Sequence, residues 1–235
     1  MRSLLGFLLF TAALISLLVF VAGPVVARPL VADLVRSALP FDGTDLVVTV
    51  DVDGFDLLGG QVREIRVSGE GLVADDATIG SLDLTARHVG LLSRDVDDLT
   101  GSIQDLTIPL EGGGSLTVAS IDLSGSTSDV AAMASLVPAG AESLVAAALA
   151  DAGLAVDGIA LTDDGFELEL LGQRITVVLA VADGAVVLPS IMGSDTVAIL
   201  APADGDQWRI TALTTSSSGL KVEASIDVAG YLDGG

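Results

Sequence analysis

The chain has 235 residues, no cysteine and a formal net charge of −22, which arises from 32 acidic and 10 basic side chains. The lack of cysteine excludes disulfides and thiolate chemistry, and the negative charge opposes binding to the phosphates of nucleic acids. Hydrophobic residues make up 51% of the chain but aromatic residues only 3%, so we expect an aliphatic core.

An uncharged apolar segment, residues 4–27, lies between Arg2 and Arg28. It exceeds the roughly 20 residues that a helix needs to cross the hydrocarbon core of a bilayer. One interpretation is an uncleaved signal anchor, which would hold the following domain on the extracytoplasmic side as a single-pass protein of the cytoplasmic membrane. The alternative is a signal peptide that is cleaved near Ala27, which would release a secreted domain.

The apolar segment is followed by the pattern of one short helix and then a series of strands. Residues 28–39 have helical periodicity between Pro29 and Pro40. Apolar and polar residues then alternate, which is typical of half-buried antiparallel strands; this predicts strands at residues 45–53, 61–68, 79–89, 104–110 and 115–123. The apolar parity changes between Val118 and Ile121, which indicates a bulge or bend.

Residues 128–151 are rich in alanine and interrupt this rhythm. We expect two short helices here, the first capped by Ser128 and the second beginning at Pro138 and ending near Gly153. Alternation then predicts further strands at residues 154–161, 166–171, 174–182, 185–188, 197–200, 208–214 and 220–228. Three regions follow: residues 1–27 as signal anchor or signal peptide, 28–230 as one β-rich domain and 231–235 as a loose tail.

The sequence offers little for catalysis. The only histidine, His88, is expected on the same strand face as Leu82, Leu84 and Ala86, where a structural role is usual. An acidic stretch that begins at Asp51 lacks the spacing of a calcium loop. We therefore expect no enzymatic activity, no cofactor and no metal site.

The stretch from Val48 to Leu72 resembles the LmeA-type phospholipid-binding family of bacterial envelope proteins. The similarity rests on a segment with Gly54, Phe55, Leu58 and Gly60, on the strand pattern VREIRV that follows it, and on Gly71-Leu72. Strands such as residues 79–89 and the late stretch 218–222 extend it. The chain departs from the family in its strong acidity and across residues 128–194.

The resemblance implies an α+β fold of the tubular lipid-binding type. In this fold a long, curved, mostly antiparallel sheet wraps around one or two helices and encloses an apolar channel, here preceded by the N-terminal membrane or signal helix. The implied function is phospholipid binding in lipid handling or cell-envelope assembly, with membrane lipid as the partner. The alternative is a structural envelope β-domain with a solid core and no ligand.

Strand parity alone, independent of the resemblance, suggests which side chains would face a lipid groove. These candidates for lipid binding are Phe55, Leu57, Leu58, Ile65, Val67, Leu82 and Leu84.

Overall fold

The structure is a computed structural model that describes residues 46–52, 60–74, 77–90, 93, 95–109, 115–189, 196–203 and 206–233. The apolar segment 4–27, the helix expected at 28–39 and the acidic stretch after Val52 lie outside the described residues. Within the described ranges, no helix has the length and apolar character needed to cross a membrane.

In the described part of the chain, strands predominate over helices. There are fourteen strands: β1 Val47–Asp51, β2 Gln61–Ala74, β3 Ala77–Gly90, β4 Asp95–Pro109, β5 Ser115–Ser126, β6 Asp129–Leu136, β7 Gly158–Thr162, β8 Gly165–Leu170, β9 Gln173–Val177, β10 Ala180–Ala182, β11 Ala185–Leu188, β12 Val197–Leu200, β13 Trp208–Ser216 and β14 Gly219–Ile226. The two helices are α1 Pro138–Asp151 and α2 Val228–Asp233. Helix α2 covers residues where the sequence predicted the start of a loose tail.

The main sheet is open and has eight strands in the order β1-β2-β3-β4-β5-β6-β14-β13. All neighbouring strands in it are antiparallel. Two smaller antiparallel sheets, β7-β8-β9 and β10-β11-β12, complete the described part. The expectation of a mostly antiparallel β-fold with few helices is therefore confirmed.

Alternation of apolar and polar residues decides which face of each strand is buried. In β14, Leu220, Val222, Ala224 and Ile226 are buried while the residues between them are more exposed, as their alternation predicts. The same face continues through β6, because Ala224 pairs with Ala132 there. One apolar face thus runs across strands that are far apart in sequence.

Two creases run across part of the main sheet, at positions where two consecutive residues of each strand involved both remain unburied. The first crease contains residues 63–64, 87–88 and 97–98, and the second contains 70–71, 80–81, 104–105 and 119–120. Within each crease the residues are paired across the strands, so that the alternation shifts in neighbouring strands together. Such irregularities bend strands and increase their twist. The parity change predicted between Val118 and Ile121 belongs to the second crease, where the register with β6 also shifts.

The creases require unusual backbone conformations. Gly71 and Asp105, in the second crease, have φ of 59° and 52°. Gly80 faces Asp105 so closely that a Cβ atom on Gly80 would lie 2.8 Å from the Cβ of Asp105. A side chain at residue 80 would therefore clash, which explains the glycine.

His88 lies in the first crease, and this corrects its predicted position. It was expected on the buried face with Leu84 and Ala86, but its side chain is exposed. With φ of 51°, His88 adds a second outward residue after Arg87, and Val89 takes the next buried position instead. Simple period-two counting fails here because the left-handed residue shifts the alternation by one.

The segment 128–151 contains one strand and one helix, so the prediction of two helices is wrong for its first half. Residues Asp129–Leu136 form β6, which pairs with β5 on one side and β14 on the other. Its inward side chains alternate, but two of them are alanines, the buried Ala132 and the half-buried Ala134, whose helix propensity hid the strand pattern. Tertiary pairing on both edges overrides that propensity.

Helix α1 confirms the second half of that prediction. Pro138 occupies its first turn, where the missing N–H has no intrahelical partner to lose. Its last turn closes at Gly153, which has φ of 76° and donates its N–H to the carbonyl of Ala150. The N–H of Leu154 bonds to the carbonyl of Leu149, which completes a glycine-based helix stop.

Candidate functional site

An apolar cavity of about 60 Å³ lies between the main sheet, helix α1 and strand β12. Its lining comes from β4, β5, β6, β13 and β14 on the sheet side, from Leu144 on α1 and from Leu200 on β12. Every lining residue is aliphatic. The cavity can therefore offer contacts to hydrocarbon and no partner to a polar group.

Small side chains in the centre of the sheet create this space. Ala132 and Ala134 of β6 and Ala224 of β14 all line the cavity, and Ala224 pairs directly with Ala132. On its other side, Ala132 pairs with the larger Leu123 of β5. The cavity thus lies over three short side chains that pack side by side.

Helix α1 covers the cavity and is held in place at several points. Near its beginning, Gly140 approaches β5 so closely that a Cβ atom would lie 2.3 Å from the carbonyl oxygen of Thr117. Two residues on, the Glu142 carboxylate accepts a hydrogen bond of 2.9 Å from the backbone N–H of Leu161 in β7. Leu144 then projects into the cavity.

Two lining residues, Ala134 and Leu200, are only half-buried, whereas the others are buried. The cavity therefore comes closest to solvent where β6 and β12 contribute these side chains. At about 60 Å³ it is smaller than an apolar cavity of about 150 Å³, which is enough to hold a benzene molecule. A longer hydrocarbon chain requires α1 or β12 to move away from the sheet.

Four of the residues predicted to bind lipid form one buried patch in β2 and β3. Ile65, Val67 and Leu84 are fully buried and Leu82 nearly so. Val67 pairs with Leu84, which brings the two strands' candidates into contact. None of the four lines the cavity at α1. Phe55, Leu57 and Leu58 lie outside the described residues, and contact with lipid stays a prediction for all seven.

Sequence reasoning did not identify the residues that line the cavity at α1. A signal was present in β6, where Val130, Ala132, Ala134 and Leu136 alternate with more polar or exposed neighbours. The alternation in β14 predicts a strand, but the sequence contains no signal that β14 pairs with β6. The cavity is defined by that non-local pairing.

The outer face of the sheet carries ion pairs instead of a reactive cluster. In the first crease, the Nε of Arg87 lies 3.0 Å from Glu64 Oε2 and its Nη1 lies 3.1 Å from Asp98 Oδ2. The hydrogen bonds to Glu64 and then to Asp98 raise the pKa of Arg87. Arg66 lies 3.5 Å from Asp83 between the creases. Among the described residues, no group of three or more potential metal ligands is assembled.

A hydrogen bond joins two turns at the edge of the molecule. Asp163, in the β7–β8 turn, accepts a bond of 2.8 Å from the backbone N–H of Ser217 in the β13–β14 turn. Hydrogen bonding from the Ser217 side chain, and then from its backbone, lowers the pKa of Asp163. The contact ties the β7–β8–β9 sheet to the main sheet.

Comparison with known proteins finds no family model that matches the sequence, and no similar curated protein or solved structure.

Proposed function

We propose that the protein binds phospholipid at the cell envelope and takes part in lipid handling or cell-envelope assembly. The observation that carries this proposal is the wholly aliphatic cavity between the sheet and α1. An acyl chain is the ligand whose chemistry matches such a lining, because it needs contacts with hydrocarbon and no polar partner. The role is binding and not catalysis.

In the proposed bound state, the acyl chain enters where Ala134 and Leu200 are half-buried. Helix α1 and strand β12 move outward, and the main sheet curves around the helix to form a longer groove. The alanines of β6 and β14 leave room for the chain to lie along the sheet. The small cavity in the present structure then corresponds to the closed form.

The N-terminal segment 4–27 supplies the proposed location. As an uncleaved anchor in the cytoplasmic membrane, it keeps the domain on the outer side and close to its lipid. Cleavage near Ala27 instead produces a secreted carrier. Since the net charge of −22 opposes anionic lipid headgroups, the apolar segment is what keeps the domain near the membrane.

The second candidate function is a structural envelope domain with a solid core and no ligand. The volume of about 60 Å³ favours it, because a cavity of this size needs no occupant. Both candidates predict the same strands. They differ in whether the sheet and α1 separate to admit a lipid chain.

The two candidates can be tested with a photoactivatable lipid. Full-length protein is reconstituted into bilayers that contain phosphatidylcholine with a diazirine near the end of one acyl chain. After irradiation, cross-linked peptides are mapped by mass spectrometry. The lipid-binding proposal expects adducts on peptides from β5, β6, β14 and α1.

A matched pair of variants in β6 distinguishes lipid adducts that form in the cavity from adducts that form at the surface. Ala132→Leu fills the cavity and is expected to reduce these adducts, whereas Ala131→Leu, on the exposed face of β6, leaves them unchanged. Adducts confined to residues 4–27, or adducts that Ala132→Leu does not alter, contradict lipid binding in the cavity and favour the structural domain.

A further inference from the structure

The β8–β9 hairpin ends in an exposed leucine with an unfavourable backbone conformation. Leu171 and Gly172 form the two-residue turn, with φ of 52° and 74°. Leu171 is 95% exposed, more than any other large hydrophobic residue among those described. Two positive φ values define the type of turn that usually takes Asn-Gly or Asp-Gly.

The β10–β11 hairpin provides an internal comparison. Its two-residue turn, Asp183-Gly184, has φ of 51° and 75°, nearly the same backbone as Leu171-Gly172. An aspartate tolerates the left-handed region because its short polar side chain bonds locally, whereas a leucine gains nothing there. Leu171 thus combines backbone strain with full exposure of an apolar side chain, and neither stabilises the folded chain.

The end of the hairpin, from Leu170 to Gln173, contains no charged residue. Leu170 pairs with Gln173 behind the turn, and the first charged pair is Glu169 opposite Arg174. Leu171 therefore lies two residues, or about 7 Å, beyond that charged pair. For comparison, an amphipathic helix at a membrane interface buries its apolar face about 5–10 Å into the boundary between headgroups and acyl chains. The uncharged length of the hairpin matches that depth.

A lipid surface suits this tip better than a protein partner. Leu171 stands alone on a convex hairpin end, and a protein partner would have to offer a matching pocket, whereas a bilayer yields to any shape. The uncharged segment 4–27, outside the described residues, is expected to place a membrane beside the domain. We propose that Leu171 inserts into the membrane interface and is a second contact of this protein with the bilayer.

The other end of the same sheet holds the hairpin in position. There, Asp163 bonds to Ser217, and Leu161 bonds to Glu142 of α1, which covers the apolar cavity. A tip in the membrane and a cover helix are thus attached to one small sheet. The contact orients the α1 side of the domain relative to the bilayer, and this holds whether or not the cavity takes a lipid.

Because the chain has no cysteine, single-cysteine variants can report the position of each hairpin. Leu171→Cys and Asp183→Cys are each labelled with an environment-sensitive fluorophore in full-length protein reconstituted into phosphatidylcholine bilayers. The label at residue 171 is expected to emit at shorter wavelength and to be quenched by spin-labelled lipid, while the label at 183 remains in water. Equal, aqueous signals from both labels overturn the proposal.

A second variant tests Leu171 without a label on it. Leu171→Asn relieves the left-handed strain, so its thermal stability is expected to rise slightly, which shows that the variant folds. Loss of one leucine that is buried in the membrane interface is expected to reduce the ratio of docked to undocked domain by roughly tenfold or more. Docking is measured by lipid quenching of a label on Gln173→Cys, with and without Leu171→Asn. Unchanged quenching contradicts the proposal.

Varying the lipid composition distinguishes membrane contact from other causes of a fluorescence change at residue 171. Since the domain is strongly acidic, anionic phosphatidylglycerol is expected to weaken quenching at residue 171, and added salt to restore it. A shift of the emission at residue 171 to shorter wavelength without quenching by spin-labelled lipid would indicate a contact within the protein and overturn the proposal. These readings at the hairpin tip are independent of adducts in the cavity, so each proposal can fail alone.

Discussion

The two halves of the main sheet use small residues for opposite purposes. In the half formed by β2, β3 and β4, Gly101 leaves space that Leu84 fills, since a Cβ atom on Gly101 would lie 2.2 Å from Leu84 Cδ2. In the half formed by β5, β6, β14 and β13, Ala132 and Ala224 leave space that stays empty beneath α1. The same kind of gap is closed in one half and open in the other.

This difference shows that small residues do not by themselves predict a binding cavity. A gap closes when a large side chain on the paired strand leans into it, as Leu84 does opposite Gly101. It remains at Ala132, which pairs with another alanine, Ala224, on one side, although Leu123 lies opposite on the other. Dense packing in the first half should make it rigid, while the second half should tolerate added side-chain volume beneath α1.

The largest expected effect comes from truncating a large buried side chain in the half formed by β2, β3 and β4, where the packing is dense. Leu84→Ala should destabilise the protein by about 2–5 kcal/mol, because it leaves a cavity among fully buried neighbours. Leu144→Ala, at the existing cavity, should cost less, because Leu144 already borders empty space. Urea unfolding of both variants measures the difference. Equal losses would mean that the two halves are packed alike.

A change to valine should have opposite signs in the two halves. Gly101→Val overpacks the contact with Leu84 and should destabilise by about 1–3 kcal/mol. Ala132→Val fills empty space and should be neutral or stabilise by up to about 1 kcal/mol. Thermal unfolding provides the measurement. A loss of stability in Ala132→Val would show that the space beneath α1 is unable to accept two methyl groups.

A smaller effect is expected at the first crease, on the exposed face of the dense half. Arg87→Gln removes ion pairs to both Glu64 and Asp98 and leaves these carboxylates without their shared partner. Because the side chains are exposed, the loss of stability should be modest and should fade at high salt. Unfolding at low and high ionic strength tests this. A loss that persists in high salt would point to packing by the Arg87 stem.

The smallest expected effect is the pH dependence of stability that arises from Asp163, at the edge of the molecule near α1. Asp163 has a lower pKa in the folded protein than in the unfolded chain, so its bond to Ser217 stabilises the fold above the unfolded pKa. That contribution is lost as the pH falls through the folded pKa. Asp163→Asn should therefore be less stable than the parent at neutral pH, and the difference should vanish in acid. A difference that is constant with pH would exclude this linkage.

Much of the fold could be predicted where the signal is local. The alternation in residues 220–228, the Asp183-Gly184 turn and the Pro138 helix start all appear in the structure at or near their predicted positions. Boundaries were less accurate. Strand β4 begins at Asp95, nine residues before the predicted start at 104, because the first crease disrupts its alternation. The predicted strand at 174–182 divides into β9 and β10.

The candidate site was harder to predict than the fold. Parity correctly placed Ile65, Val67, Leu82 and Leu84 in the interior. It could not distinguish buried residues that fill a core from those that border a cavity, since both present aliphatic side chains on the same face. That distinction depends on which side chain lies opposite, and the opposite residue belongs to another strand.

By itself, the sequence determined which residues of most strands face inward, where some of the tight turns fall, such as Asp183-Gly184, and where helix α1 begins and ends. These features depend on neighbouring residues along the chain, whose preferences act over a few positions. Only the tertiary structure decided that residues 129–136 form a strand, that β14 returns to pair with β6, and that aligned creases cross the sheet. Each of these depends on contacts between distant segments, which supply hydrogen bonds and packing that local preference cannot encode. The empty space beneath α1 is a product of the same distant contacts.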